Sequence, residues 1–302
     1  MDQLTAMRIF VRLVQSGSFS EVARELGVSQ SSVSKRLASL EEKLGARLLT
    51  RTSRKLHLTE VGGDYFERCL QILMDVDESE SSVRSLTSNP TGLLRITAPV
   101  SFGQRHIIPR LPDFLSTYPS MKLDVILTER QVDLVGEGID VAIRIGTLAD
   151  SNLVARHLGD GPRLLVASKS YLDKRGRPSH PDELKDHNCL VYSLQNSGNI
   201  WHFKKQNKTF AVQVQGNVQA NNGDAVREMA LAGVGIIMIS KWMSQPYIQE
   251  GQLEVILPDY TLQGFPIQAV YPHSRYIPSK IRSFVDFIKQ SFDADPQLQN
   301  TP

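Results

Sequence analysis

Apolar residues near the N-terminus recur at helical spacing and predict three short helices. The first helix has an apolar stripe that consists of Leu4, Met7, Phe10, Val11 and Val14. It ends at Gly17, and residues 18–21 (Ser-Phe-Ser-Glu) fit a capping box that starts the second helix. That helix ends at Gly27, and Ser29 is an N-cap candidate for the third. Two helices joined by a tight glycine-containing turn predict a helix-turn-helix.

The third helix combines a buried stripe with a small polar face. The stripe is formed by Val33, Leu37, Leu40 and Leu44. At about 100° per residue, Ser31 and Lys35 lie opposite this stripe and Ser34 lies to one side. Gln30 lies in the first turn, and Ser29 caps it. Glutamine can hydrogen-bond to adenine, and lysine can contact guanine or phosphate, so this face is predicted to enter a major groove.

Two short strands are predicted after the third helix, at residues 47–51 and 55–59. The segment between them would form a wing, with Arg51, Thr52 and Arg54 against the DNA backbone or the minor groove. Residues 1–58 contain ten basic and five acidic side chains, whereas residues 59–90 contain two basic and seven acidic ones. A basic block followed by an acidic one suits a DNA-contacting unit attached to a part that avoids DNA. The pattern alone leaves open a small helical domain with scattered lysines.

A stretch without proline, from Thr59 to about Ser88, predicts one long helix. Its main stripe is formed by Val61, Tyr65, Cys69, Ile72, Val76 and Val83. Roughly thirty residues correspond to a helix of about 45 Å, which is too long for a compact domain. We expect a second subunit to cover part of the wide stripe, and a stalk packed only on its own chain is the alternative. A dimer would match an inverted-repeat operator on double-stranded DNA.

Beyond the breaker cluster at residues 89–92, strand-like and helical runs alternate. Strands are predicted at residues 94–98, 123–127, 139–145, 164–168, 212–214, 236–239 and 268–271. Helices are predicted at residues 102–118, with a bend or split at Pro109 and Pro112, and at 132–137, 223–232 and 278–292. This alternation implies α/β architecture with mainly parallel sheets.

Ligands of such sheets bind where strands end and helices begin. Three groups of residues have this position: Ser101, Phe102 and Gly103; Arg144, Gly146 and Thr147; and Asn221, Asn222 and Gly223. An arginine beside a helix start favours an anionic effector such as a carboxylate. The alternatives are that Arg144 pairs with Glu129 or Asp140 and that Ser101 only caps a helix.

Composition and charge narrow the class of protein. A chain of 302 residues with 41% hydrophobic and 22% charged residues suits several globular domains, and its net charge of +2 is uninformative as a total. No apolar run is long enough to span a membrane, the N-terminus lacks a signal pattern, and the two cysteines are far apart. We therefore expect a cytoplasmic protein. Phosphate-loop, metal-ligand and nucleophile-elbow motifs are absent, which predicts no metal, no cofactor and no enzymatic activity.

A dense series of motifs resembles the LysR-type transcriptional regulators. In the N-terminal region the matching residues are 7–11, 17–20, 28–34, 40–45, 51–54 and 58–62. In the C-terminal region they are 96–99, 139–146, 153–159, 167–172 and 232–236. The resemblance places Gln30, Ser31, Ser34 and Lys35 on the recognition helix and Arg51 and Arg54 on the wing. It also matches Ser101, Thr128 and Arg144 to effector-cleft positions, with Trp201 as a further residue facing the cleft.

The resemblance implies an α+β multidomain protein: a winged helix-turn-helix, a long linker helix and a two-lobed α/β effector domain like a type II periplasmic binding protein. The expected boundaries are 1–58 for the DNA-binding domain, 59–89 for the linker (dimerisation) helix and 90–302 for the effector-binding domain. Lobe I is expected at about 90–162 and 266–302, and lobe II at about 163–265.

The predicted function is that of a sequence-specific DNA-binding transcriptional regulator whose activity responds to a small anionic effector in the cleft. Expected partners are operator DNA, the effector and a second copy of the chain, while the resemblance implies a tetramer. RNA polymerase is a further candidate partner, and no membrane is expected. The alternatives are a two-lobed ligand-binding protein or enzyme with an accessory helical domain, and an N-terminal unit that serves only assembly.

Overall fold

The computed structural model describes residues 2–51, 56–84, 89–146, 153–194, 198–206, 208–273 and 277–299. The N-terminal elements are α1 (Gln3–Ser16), α2 (Phe19–Leu26), α3 (Gln30–Leu44), β1 (Leu49–Arg51) and β2 (Leu56–Leu58). Caps occur at the expected positions, because the hydroxyls of Ser18 and Ser29 accept hydrogen bonds from the amides of Glu21 and Ser32 at 3.3 and 3.2 Å. Gly27 ends α2 in the left-handed region, with φ of 65°. Three helices and a two-stranded wing thus surround one apolar core.

The linker helix, α4, spans Glu60–Arg84. Cys69 and Leu73 are buried against the N-terminal core, and the ring of Tyr65 lies 5.6 Å from that of Phe10 in α1. The predicted apolar stripe of α4 is therefore only partly buried, because α1 covers one side of it. Val61 and Ile72 lie on the uncovered side, where 55% and 41% of their surfaces are exposed.

The remaining elements form the effector domain. Its strands are β3 (Gly92–Ala98), β4 (Met121–Leu127), β5 (Val141–Ile145), β6 (Leu153–Gly161), β7 (Arg163–Ser168), β8 (Cys189–Tyr192), β9 (Ile200–Lys205), β10 (Lys208–Gln213), β11 (Gln219–Ala220), β12 (Ile236–Ser240), β13 (Leu253–Val255), β14 (Thr261–Leu262) and β15 (Phe265–Pro272). Its α-helices are α5 (Val100–Phe102), α6 (Leu111–Thr117), α7 (Lys169–Arg175), α8 (Gly223–Leu231), α9 (Lys241–Gln249) and α10 (Ser279–Asp293). A π-helix at Gly103–Ile107 and 3-10 helices at Ile108–Arg110, Pro181–Asp186 and Pro296–Leu298 complete the set.

Two mixed sheets define the two lobes. Lobe I has the strand order β4-β3-β5-β15-β6 and lobe II the order β11-β8-β12-β7-β13. The chain passes from β6 to β7 through Pro162 and returns from β14 to β15 through residues 263–264. A smaller sheet, β10-β9-β14, packs beside lobe II.

The expectation of mainly parallel sheets is wrong. Strand β3 is parallel to β4 and β5, but β15 is antiparallel to β5 and β6, and β7 is antiparallel to β12 and β13. Parallel neighbours require a long crossover connection. Strands β6, β7 and β15 carry the chain between the lobes without such a crossover, and they run antiparallel to their neighbours.

Two predicted helices have a different form. The helix expected at 102–118 is broken into α, π and 3-10 turns around Pro109 and Pro112, as the prolines suggest. The helix expected at 132–137 is instead a series of turns, with a hydrogen bond of 2.8 Å from the amide of Ile139 to the carbonyl of Leu134. Gly138 has φ of +66°, a left-handed conformation that ends a helix, which accounts for the turn.

In the part of the chain that the structure describes, no helix has the length and apolarity needed to cross a membrane.

Candidate functional site

The polar face of α3 is open to solvent on the side away from the core. Gln30, Ser31 and Lys35 are exposed, while Val33 and Leu37 point into the apolar core. The hydroxyl of Ser29, besides capping the helix, lies 2.9 Å from that of Ser31. Ser34 is half-buried beside them. The face thus presents small hydroxyls, one amide and one ammonium group, without a bulky side chain that would keep a helix out of a major groove.

The wing is anchored to this helix by a carboxylate. The Glu41 Oε1 atom accepts hydrogen bonds from the amides of Leu48 and Leu49 at 2.8 and 3.1 Å. The register pairs Arg51 with Leu56 at the outer end of the two strands. The Arg51 side chain and the predicted contacts Thr52 and Arg54 lie outside the described residues, so their DNA-binding roles stay predictions.

A cavity of about 370 Å³ lies between the two lobes. The predicted effector residues that line it are Ser101, Phe102, Thr128, Arg144, Gly146 and Gly223. Three strands of lobe I, β3, β4 and β5, have their carboxyl ends at this cavity, where ligands of such sheets bind. Lobe II contributes apolar wall residues that include Ile237, Trp242 and Met243.

Arg144 projects from β5 into the wall of this cavity. Its Nη2 atom donates a hydrogen bond of 3.2 Å to the carbonyl of Val132, and burial lowers its pKa. The expected alternative, pairing with an acid, is not observed among the described residues. Asp140 instead contacts Lys280, and Glu129 accepts from the amide of Val100. The guanidinium therefore keeps donor capacity for an anion.

Arg163 is a second cationic wall residue that the sequence reasoning missed. Its Nε atom donates to the carbonyl of Gln263 at 2.7 Å, and its guanidinium carbon lies 4.3 Å from the Phe265 ring centroid. Burial lowers its pKa to about 10, which leaves it charged at neutral pH. Its position directly after Pro162, where the chain changes lobes, was the signal available in the sequence.

Polar contacts connect the lobes across this cavity. The Ser101 hydroxyl donates to the Asp224 carboxylate at the start of α8, and the Tyr192 hydroxyl donates to Glu129 at 3.4 Å. The alternative that Ser101 only caps a helix is wrong, because Ser101 lies within α5 and its hydroxyl bonds across to lobe II. Burial raises the pKa of Glu129, hydrogen bonds from Val100 and Tyr192 oppose this shift, and the charge of Asp224 adds to it. Acidic and basic groups therefore share the wall, and a hydrogen-bond donor on a ligand could contact Glu129.

Other predicted effector residues lie elsewhere. The prediction that Trp201 faces the cleft is wrong. Only 2% of its surface is exposed, and it packs in the lobe II core beside β10. Asn222 caps α8, with its Oδ1 atom 3.0 Å from the amide of Ala225, and neither it nor Asn221 lines the cavity. Gly103 lies behind the wall against Leu127. Thr147 falls outside the described residues.

No group of histidine, cysteine and carboxylate side chains that could hold a metal occurs among the described residues. Cys69 and Cys189 are both buried thiols on separate domains.

The fold and these two sites define a DNA-binding protein with an attached ligand-binding domain. Residues 4–63 match the bacterial regulatory helix-turn-helix protein of the lysR family, and residues 87–293 match the LysR substrate binding domain. The chain therefore belongs to the family of LysR-type transcriptional regulators. The alternative of an enzyme or a solute-binding protein finds no support, since the relatives are named transcriptional regulators.

Relatives and solved structures extend over nearly the whole chain. An uncharacterized HTH-type transcriptional regulator of Haemophilus influenzae is 39% identical over 281 residues, which are 93% of this chain and 98% of the relative. The structure of CrgA, a LysR-type regulator from Neisseria meningitidis, covers 95% of this chain and is itself covered to 98%, with 33% identity and a TM-score of 0.61. The full-length Vibrio cholerae virulence activator AphB has the same coverages, with 28% identity and a TM-score of 0.59.

Proposed function

We propose that the protein is a regulator whose cavity binds a small organic anion, a carboxylate with an apolar body. The observation that carries this proposal is the pair Arg144 and Arg163, which line one cavity and pair with no carboxylate among the described residues. Ligand sites combine apolar walls with a few convergent polar groups, and this cavity has both. The proposal requires no metal and no resident cofactor.

Ligand binding is expected to change the fluorescence of Trp242, which lines the cavity. Trp201 is remote in the lobe II core, so a Trp201→Phe variant leaves Trp242 as the reporter. We expect saturable changes on titration with a panel of carboxylates such as acetate, succinate and benzoate, and none with the matched neutral amides. Equal responses to acid and amide would contradict an anion site.

We propose that Ser29, Gln30, Ser31, Ser34, Lys35, Arg51, Thr52 and Arg54 contact operator DNA. Lys35→Ala is expected to weaken binding and to lower the slope of log affinity against log salt by about one, because one lysine–phosphate contact is lost. Lys43→Ala is the matched control, since Lys43 lies at the far end of α3 and contacts Gln3 at 2.7 Å. Salt titrations of binding to duplex DNA from the upstream region measure both slopes, and equal slopes for the two variants would refute the predicted orientation of α3.

The exposed face of α4, with Val61 and Ile72, supports a dimer that reads an inverted-repeat operator. We further propose assembly into a tetramer, RNA polymerase as a partner at the promoter, and a cytoplasmic location.

A further inference from the structure

The DNA-binding domain contacts lobe I of its own chain through a row of alternating charges. Two nitrogens of Arg12 in α1 donate to Glu25 in α2 at 3.1 and 2.7 Å. The same Glu25 Oε1 atom accepts from Arg95 in β3 at 2.6 Å, and Arg95 Nε donates to Asp124 in β4 at 2.9 Å. Only 13% of the Arg95 side chain and 23% of the Glu25 side chain are exposed. The Arg95 guanidinium is held by a carboxylate from each domain, so the row joins α2 directly to lobe I.

Residues 131–140, which form most of the connection between β4 and β5 and are called the 131–140 loop here, add a second contact with the same domain. Gln15 in α1 accepts from Arg12 at 2.8 Å and donates through Nε2 to the carbonyl of Val135 at 3.1 Å. A Cβ atom on Gly138 would meet Gln15 Oε1 at 2.5 Å. The first helix is therefore packed directly on the backbone of this loop.

The other face of this loop belongs to the effector cavity. Gln131 lines the cavity, and the carbonyl of Val132 accepts the hydrogen bond from Arg144. At the far end of the loop, Asp140 accepts from the amide of Arg95 at 2.8 Å. One short segment thus joins the cavity arginine to both contacts with the DNA-binding domain.

We propose that the 131–140 loop couples occupancy of the cavity to the position of the helix-turn-helix, with Arg144 as the positioning residue. An anion that draws the Arg144 guanidinium towards itself competes with the Val132 carbonyl. Release of this carbonyl alters the loop and weakens the support that it gives to Gln15. The ligand then favours one arrangement of the DNA-binding domain over another, as an effector must. This inference deepens the proposed function and rests on it.

Hydrogen–deuterium exchange on the full-length protein without ligand tests this coupling. Arg144→Gln removes the hydrogen bond to Val132, and we expect about tenfold faster exchange both in residues 131–140 and in residues 12–25. Glu25→Gln weakens the charge row from the side of the DNA-binding domain, and it should accelerate exchange in the same two segments. Glu21→Gln is the matched control, because Glu21 is an exposed glutamate of the same helix, and it should change neither segment.

Unchanged exchange in β7 and β12 establishes that the effector domain of each variant is folded, and unchanged exchange in α3 establishes the same for the DNA-binding domain. If each of Arg144→Gln and Glu25→Gln accelerated exchange only in the segment next to its own substitution, the coupling would be overturned. This result is independent of the ligand proposal, since a protein that binds none of the carboxylates fails in the Trp242 titration and not in the exchange measurement. Where a carboxylate binds, its addition to the wild type should reproduce the Arg144→Gln pattern in residues 12–25, and a pattern confined to the cavity strands would likewise overturn the inference.

Discussion

Gly62→Ala is expected to unfold the DNA-binding domain at a lower temperature and to abolish operator binding, while Gly63→Ala preserves both. The two glycines are neighbours in the first turn of α4. A Cβ atom on Gly62 would lie 2.0 Å from the carbonyl oxygen of Leu48, whereas one on Gly63 meets nothing within 4 Å. Comparison of the two variants therefore separates the effect of the close backbone contact from the effect of helix propensity on stability.

The Leu48 carbonyl cannot move aside without loss. It accepts from the amide of Thr59 at 3.0 Å, and the Thr59 hydroxyl in turn caps α4 by accepting from the Gly62 amide at 2.9 Å. The wing and the linker helix are joined at this point, so an added methyl group displaces one from the other. Overpacking of this kind costs about 1–3 kcal/mol, and the rigid contact places Gly62→Ala at the upper end of this range.

Calorimetry of the full-length protein measures the effect. A loss of about 3 kcal/mol lowers the transition of a small domain by roughly 12 °C or more. Gly63→Ala should raise it slightly, because alanine in a helix interior is favoured over glycine by about 0.5–1 kcal/mol. The transition of the effector domain stays in place in both variants. Equal melting temperatures and equal DNA binding for the two variants would show that the junction can relax.

The sequence predicts local structure well where side-chain and backbone rules coincide. The caps at Ser18 and Ser29 and the left-handed glycines lie where the pattern places them, because each depends on only a few neighbouring residues. The helix predicted at residues 132–137 forms turns instead, because Gly138 adopts a left-handed conformation directly after this short segment. Strand direction was also missed, since it depends on how the chain crosses between lobes.

The effector cavity likewise contains residues that local sequence rules predict and residues that they do not. Arg144 follows from its place at a strand end, but Arg163 reaches the cavity only because the lobes face each other. Trp201 illustrates the opposite error: the family resemblance places it towards the cleft, yet alternation along β9 directs Trp201 and Phe203 into the core. Which side of a strand faces the core depends on the pairing of β9 with β10, and this pairing is not encoded locally.

Arg144→Gln is expected to weaken binding of the carboxylate found by the Trp242 titration about a hundredfold, or about 2.7 kcal/mol. Glutamine retains a hydrogen-bond donor but loses the charge and the fork of parallel N–H groups that matches a carboxylate. Arg144→Lys should give an intermediate loss of about tenfold, because the charge remains and the planar fork does not. Arg177→Gln is the matched control: 43% of the Arg177 side chain is exposed, and its guanidinium pairs with Glu254 in lobe II and does not line the cavity.

Titrations of these variants in the Trp201→Phe background distinguish the possible roles of the arginine. A large loss for Arg144→Gln together with wild-type affinity for Arg177→Gln assigns the charge of Arg144 to the ligand. Equal affinities for all variants would place the anion at Arg163 instead, and the same series at that position would decide it. Because burial already weakens the hydration of the Arg144 guanidinium, an ion pair there is screened little by salt. Carboxylate affinity should therefore vary much less with ionic strength than operator affinity does.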